Sequence, residues 1–273
     1  MMKVMKVTEM TTPTLTFGGH LAREWRYAPR RAASIAALIG VGCVLFNHLI
    51  LPLFPWRVLE FMRRGFQLED MAGVLVLNDL MGVYMLTFFV GLASSLGVVL
   101  SAREEHRLEL LLVKPMRPGD FVAARLLPVL ASTAVVGAAI SMTAAIAAAV
   151  HGGVGTSIGP AGALGAGLAL TALTLVLLAA LQIPFVRLRD PFTGLLIACG
   201  LYLATFMPTA VLLYRPDAYA GREMLANSIV MSSLLWHEAN IAWLGPLVLL
   251  AALPVAALIA RAAGALLERS DAM

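Results

Sequence analysis

Six long runs of apolar residues, separated by short clusters of charge, Gly and Pro, dominate the chain: about 32–54, 76–100, 122–150, 162–186, 193–214 and 241–262. A hydrocarbon layer of about 30 Å is crossed by roughly 20 helical residues, so each run is long enough to span one. In lipid a spanning segment must satisfy its own backbone polar groups, and each run is therefore predicted as a helix. The third run, 122–150, has length to spare and is expected to tilt or to project past the bilayer. The first run starts at residue 32 and far exceeds the roughly 7–15 residues of a signal-peptide core, so it reads as a span. The expected fold class is an all-α membrane protein with six transmembrane helices.

Composition agrees: 60% of the 273 residues are hydrophobic and 13% charged, and the mean hydropathy is +0.87. A soluble domain of this length needs about a quarter of its residues charged to clothe its surface.

Charge then sets the orientation. If the N-terminus is inside, Lys3, Lys6, Arg23, Arg26, Arg30, Arg31, Arg103, Arg107, Lys114, Arg117, Arg125, Arg187, Arg189, Arg261 and Arg269 lie on the inner side, 15 basic residues in all. Only Arg57, Arg63, Arg64, Arg215 and Arg222 lie outside. The positive-inside rule makes both termini cytoplasmic. The pI of about 9.4 then reflects topology and anionic lipid contact, and nucleic acid is not an expected partner. The 17 Arg against 3 Lys, with abundant Ala, Gly and Leu, suggests a GC-rich bacterial source and hence the bacterial cytoplasmic (inner) membrane. Residues 1–31 form a cytoplasmic N-terminus, 32–263 the transmembrane domain, 103–120 an inner loop within it, and 264–273 a cytoplasmic tail.

Two segments outside the spans are expected to be structured. Phe17–Arg31 is basic and amphipathic and reads as a helix lying in the inner interface, with Trp25 and Tyr27 at headgroup depth. The alternative is a plain positive flank. Between spans five and six, Met224–Trp236 is apolar but too short to cross, which suits a re-entrant outer hairpin.

Catalytic motifs are sparse. The Gly-dense segment 151–160 has no Lys and is no P-loop. Its Gly155-Thr156-Ser157-Ile158-Gly159 matches a nucleophile elbow formally, but lies between two membrane helices with no acid in the loop. His237-Glu238 begins a metalloprotease motif whose second histidine is replaced by Ile241. Cys43 and Cys199 sit within apolar runs and read as small packing residues. Asn47 and His48 in span one, Asn78 and Asp79 near the start of span two, and Gln182 in span four are the polar groups that could line a translocation path. Helix–helix hydrogen bonding is the competing explanation.

The inner loop between spans two and three carries the most detail. It reads Glu104-Glu105-His106-Arg107-Leu108-Glu109-Leu110-Leu111-Leu112-Val113-Lys114-Pro115-Met116-Arg117, then Pro118-Gly119-Asp120. Leu108, Leu111 and Leu112 stand at i, i+3 and i+4 on one helical face, collared by charge, and Pro115 ends the helix. Such a ridge suits a partner's groove. The run resembles the acidic, leucine-rich signature of the membrane subunits of ABC exporters of the second type, roughly E-x-x-x-G-T-L-E-x-L-L-x-x-P followed by a basic residue. Glu105, Leu108, Glu109, Leu111, Leu112 and Pro115 match, and Arg125 stands where the basic residue is usual. His106-Arg107 replaces the usual Gly-Thr.

The resemblance implies a permease subunit whose segment from Glu104 to Pro115 is the coupling helix. It also implies a second permease copy or a sister permease, and two copies of a cytosolic ABC ATPase. ATP and Mg²⁺ would be bound by that ATPase, and the chain would hold no cofactor and be no enzyme itself. The alternative is a secondary transporter or channel that needs no ATPase.

Overall fold

The computed structural model describes residues 16–50, 53–65, 71–100, 103, 117–151, 159–214 and 241–270. Its regular elements there are all helices: α1 (Phe17–Arg26), α2 (Arg30–Ile50), α3 (Trp56–Gly65), α4 (Met71–Leu96), α5 (Pro118–His151), α6 (Pro160–Phe185), α7 (Pro191–Tyr214) and α8 (Ile241–Ser270). Five to six of them are apolar helices that could cross a membrane: α2, α4, α5, α6 and α8 by length and hydropathy, and the apolar α7 as the sixth. The chain is built as a multi-pass membrane protein.

Helix limits follow local chemistry. Thr16 caps α1 by accepting from the Gly19 N–H, and the chain breaks at Tyr27–Pro29 before α2 begins. Proline opens α5, α6 and α7, where its missing N–H costs nothing. Asp190 accepts from the Thr193 N–H at 2.7 Å ahead of α7, and that bond holds its carboxyl below the usual range. The last helix runs through to Ser270, so the expected tail from 264 is largely its final turns.

Packing is strongest among α5, α6 and α8, with α4 laid against α5 and α6. Small residues set the spacing. A Cβ on Gly245 of α8 would overlap the Gly165 carbonyl of α6; one on Gly137 would overlap Thr171, and one on Gly167 would overlap Ser141. With little hydrophobic driving force between helices in lipid, such close van der Waals contact is what holds them together. Hydroxyls in the seam are satisfied within their own helices: Thr87 on the Val83 carbonyl, Ser141 on Gly137, Thr171 on Gly167 and Thr174 on Leu170.

Two contacts fix helix directions. Gly165 and Gly245, each near the start of its helix, touch, so α6 and α8 run parallel. Gly119 at the start of α5 packs on Arg261 and Gly264 near the end of α8, so those two run antiparallel. One end of the bundle therefore gathers Arg103, Arg117, Arg125, Arg187, Arg189 and Arg261. Here α1 lies against α5, with Arg261 4.7 Å above the Phe17 ring and Arg125 3.8 Å from Glu24.

The short helix α3, between the first two long helices, was not anticipated from the sequence. Glu60 is gripped by Arg63 at 2.8 Å and Arg64 at 2.6 Å, one turn on, and these guanidiniums hold its carboxyl down at about 2. Trp56 and Phe61 are exposed, and Leu59 is turned inward.

Candidate functional site

Asn47 and His48 close the last turn of α2; Asn78 and Asp79 lie early in α4. The antiparallel approach of α2 is close because Gly40 has no side chain: a Cβ there would overlap Ile140 of α5 and touch Leu86 of α4. This brings the four polar residues into one cluster. His48 Nε2 lies 2.8 Å from Asp79 Oδ2, and Asn47 Nδ2 donates to Asp79 Oδ1 at 2.6 Å and toward the Leu75 carbonyl at 3.3 Å. Asn78 Nδ2 donates to Asn47 Oδ1 at 2.7 Å. Asp79 is 3% exposed and His48 8%. A carboxylate in apolar surroundings is costly unless donors meet it, and here each oxygen has one. An ionised Asp79 only accepts, so His48 meets it through Nε2–H.

The cluster forms one end of a cleft of about 510 Å³. Gly40, Cys43 and Val44 of α2, Gly82, Met85 and Leu86 of α4, and Ile140 of α5 line its walls. Tyr202 and Phe206 of α7 close the far side. They belong to an aromatic lattice: Tyr202 stacks on Tyr84 at 5.2 Å between centroids, with Phe88 and Phe89 each at 5.0 Å and Phe206 at 4.9 Å. Tyr84 and Thr205 share a 2.9 Å hydroxyl hydrogen bond. This lattice is the main tie of α7 to the bundle, since α7 touches little besides α4 and α6. Cys43, expected to be a packing residue, is exposed beside the cleft, while Cys199 is partly exposed.

A second polar arrangement marks the arginine-rich end. Arg103 Nη1 donates to the Val186 carbonyl at 2.7 Å and to that of Leu188 at 2.9 Å, capping the end of α6. Arg125 Nη1 donates to the Val98 carbonyl at 3.0 Å. Arg261 of α8 binds Asp120 of α5 at 3.0 Å.

The chain matches no family model, no curated protein and no solved structure.

Of the residues singled out as a translocation path, Asn47, His48, Asn78 and Asp79 thus converge. Gln182 does not join them: it is buried in α6, its Nε2 donates to the Leu178 carbonyl at 3.3 Å, and its Oε1 has no partner among the described residues. The coupling residues Glu104, Glu105, His106, Arg107, Leu108, Glu109, Leu111, Leu112 and Pro115 lie outside the described residues, as do Ser157, His237 and the hairpin 224–236. Among the described residues no three His, Cys, Asp or Glu side chains gather to hold a metal ion. The aromatic lattice and the Arg103 cap escaped the sequence reading. Their traces were aromatics at i and i+4 (Tyr84 and Phe88, Tyr202 and Phe206) and an arginine directly after an apolar run.

Proposed function

We propose that the chain is the permease subunit of an ATP-driven exporter of the second ABC type, working with a separate cytosolic ATPase. One observation supports this above the rest. The segment 104–116, whose sequence resembles the coupling signature, is flanked in the chain by two anchored residues. Arg103 is fixed on the carbonyls that end α6, and Asp120 is fixed on Arg261 of α8. A push on the segment would act directly on the same ends of two parallel helices, a geometry suited to rocking them.

The parallel run of α6 and α8 also requires an odd number of crossings between them, and α7 is the described helix available. On this reading α7 is the sixth span, and the arginine-rich end faces the cytoplasm. Two ATPase copies would supply ATP and Mg²⁺ binding, and a second permease copy or a sister permease would complete the path.

The test is co-expression with a cognate cytosolic ABC ATPase. Leu111→Asp is expected to abolish both co-purification and transport in vesicles, because burying a leucine contributes about 1.5–3 kcal/mol and an aspartate adds an unpaired charge. Arg103→Ala is expected to keep the complex but to separate ATP hydrolysis from transport. Wild-type behaviour of Leu111→Asp in both assays would overturn the reading.

The buried His48–Asp79 pair favours a second reading, an ATPase-independent secondary transporter. It requires uptake or efflux by the purified chain alone in vesicles carrying an ion gradient.

A further inference from the structure

We propose that the cleft between α2, α4 and α7 is a binding site for an amphipathic organic cation, its positive charge at the Asp79 end and its apolar body against the aromatic end.

Among the described residues lining the cleft, Asp79 is the one with an ionisable carboxyl. Its oxygens meet the His48 imidazole and the Asn47 amide, and no lysine or arginine among the described residues lines the cleft beside them. A carboxylate has about four lone-pair sites and these two donors leave room for more. Asn78 donates through Nδ2, and its Oδ1 accepts no hydrogen bond among the described residues, which adds a second acceptor at the same end. In low-dielectric walls a carboxylate acts on a cation over several ångströms far more strongly than in water.

The other end is built for the opposite half of such a ligand. Met85, Leu86 and Ile140 offer apolar contact, and Tyr202 and Phe206 present rings whose faces attract cations as well as apolar groups. The volume falls within the range of small-molecule pockets, roughly 300–1,000 Å³. An anionic ligand would meet Asp79 unfavourably, and a wholly apolar one would leave the polar end without a partner. The charge pattern therefore selects the cationic amphiphile over both.

Glycine geometry supplies the means of blocking the site without disturbing the bundle. Gly40 is committed to packing, but a Cβ on Gly82, which also lines the cleft, would meet nothing within 4 Å. A larger side chain at 82 projects into the open cleft. Cys43 is a native reporter beside it.

The site can be probed on the purified chain in detergent, with no ATPase present, so its failure and that of the exporter reading are separable. Equilibrium dialysis at pH 8 would compare tetraphenylphosphonium with tetraphenylborate, equal in shape and opposite in sign. The phosphonium is expected to bind at least about tenfold more tightly, and to slow alkylation of Cys43 in a Cys199→Ala background. Gly82→Leu should abolish that binding while leaving thermal stability intact, and Asp79→Asn should lose at least about tenfold in affinity. Equal binding of the two ions would overturn the proposal, as would phosphonium affinity unchanged in folded Gly82→Leu protein. Should Asp79→Asn fail to fold, the Gly82→Leu and ion-sign comparisons still decide.

Discussion

His48 and Asp79 meet at 2.8 Å across the α2–α4 interface, 31 residues apart in the chain and both almost wholly buried. Removing one partner takes a buried hydrogen bond from the other, a loss of about 1–3 kcal/mol or more. Replacing both with apolar residues removes the desolvation cost together with the bond and should be much milder. Asp79→Leu and His48→Leu are each expected to lower thermal stability in detergent sharply, and the double variant to recover most of it. Additive losses would mean that the two side chains act separately.

The glycine seam makes a second prediction. A Cβ on Gly245 would overlap backbone of α6, which cannot swing aside as a side chain can. Gly245→Ala should cost about 1–3 kcal/mol, toward the upper part of the overpacking range. Gly200→Ala, where a Cβ meets nothing within 4 Å, should stay within about 0.5 kcal/mol. Unfolding of both variants in one detergent checks the ordering.

Glu60 gives a prediction in pH. Its folded-state carboxyl is held at about 2 against an ordinary 4.5 by hydrogen bonds from Arg63 and Arg64. A depressed carboxyl contributes stability above the unfolded value, and that contribution is lost as pH falls through the folded one. The Glu60 clamp on α3 should therefore stay formed at pH 4 and open only near pH 2, while its contribution to stability falls away between about 4.5 and 2. Site-specific NMR titration of Glu60 would show this, and the Arg63→Gln, Arg64→Gln double variant should return the midpoint toward 4.5.

The sequence made the long helices legible because lipid leaves a run of about 20 apolar residues few alternatives. Observed limits differ from the expected ones by a few residues, as with α2 at Arg30–Ile50 against 32–54. The polar candidates were legible singly but not as a group. Position along a span gives depth, whereas the convergence of Asn47 with Asp79 depends on the closeness of α2, set by Gly40 against Ile140. Gln182 shares the polarity but not the location for the same reason. The α3 helix was missed because its three arginines read as loop charge. Its i, i+3 and i, i+4 pairing of Glu60 with Arg63 and Arg64 was the available signal.

The parallel run of α6 and α8 leads to a prediction about the whole chain. Because Gly165 touches Gly245, the starts of both helices share one face, and the chain between Phe185 and Ile241 must cross back. An α7 that lay along the surface would put the start of α8 on the face where α6 ends, and would break that contact. Single cysteines placed at Gly159 and Ala242, in a Cys43→Ala, Cys199→Ala background, should react with an impermeant thiol reagent from one side of the membrane only. Cysteines at Arg117 and Arg189 should react only from the other, which the positive-inside rule makes the cytoplasm. Labelling of 159 and 242 from opposite sides would remove the crossing by α7. It would also detach the arginine-rich end, with Arg103, Asp120 and Arg261, from a single membrane face, and with it the support these residues give to the proposed coupling role of 104–116.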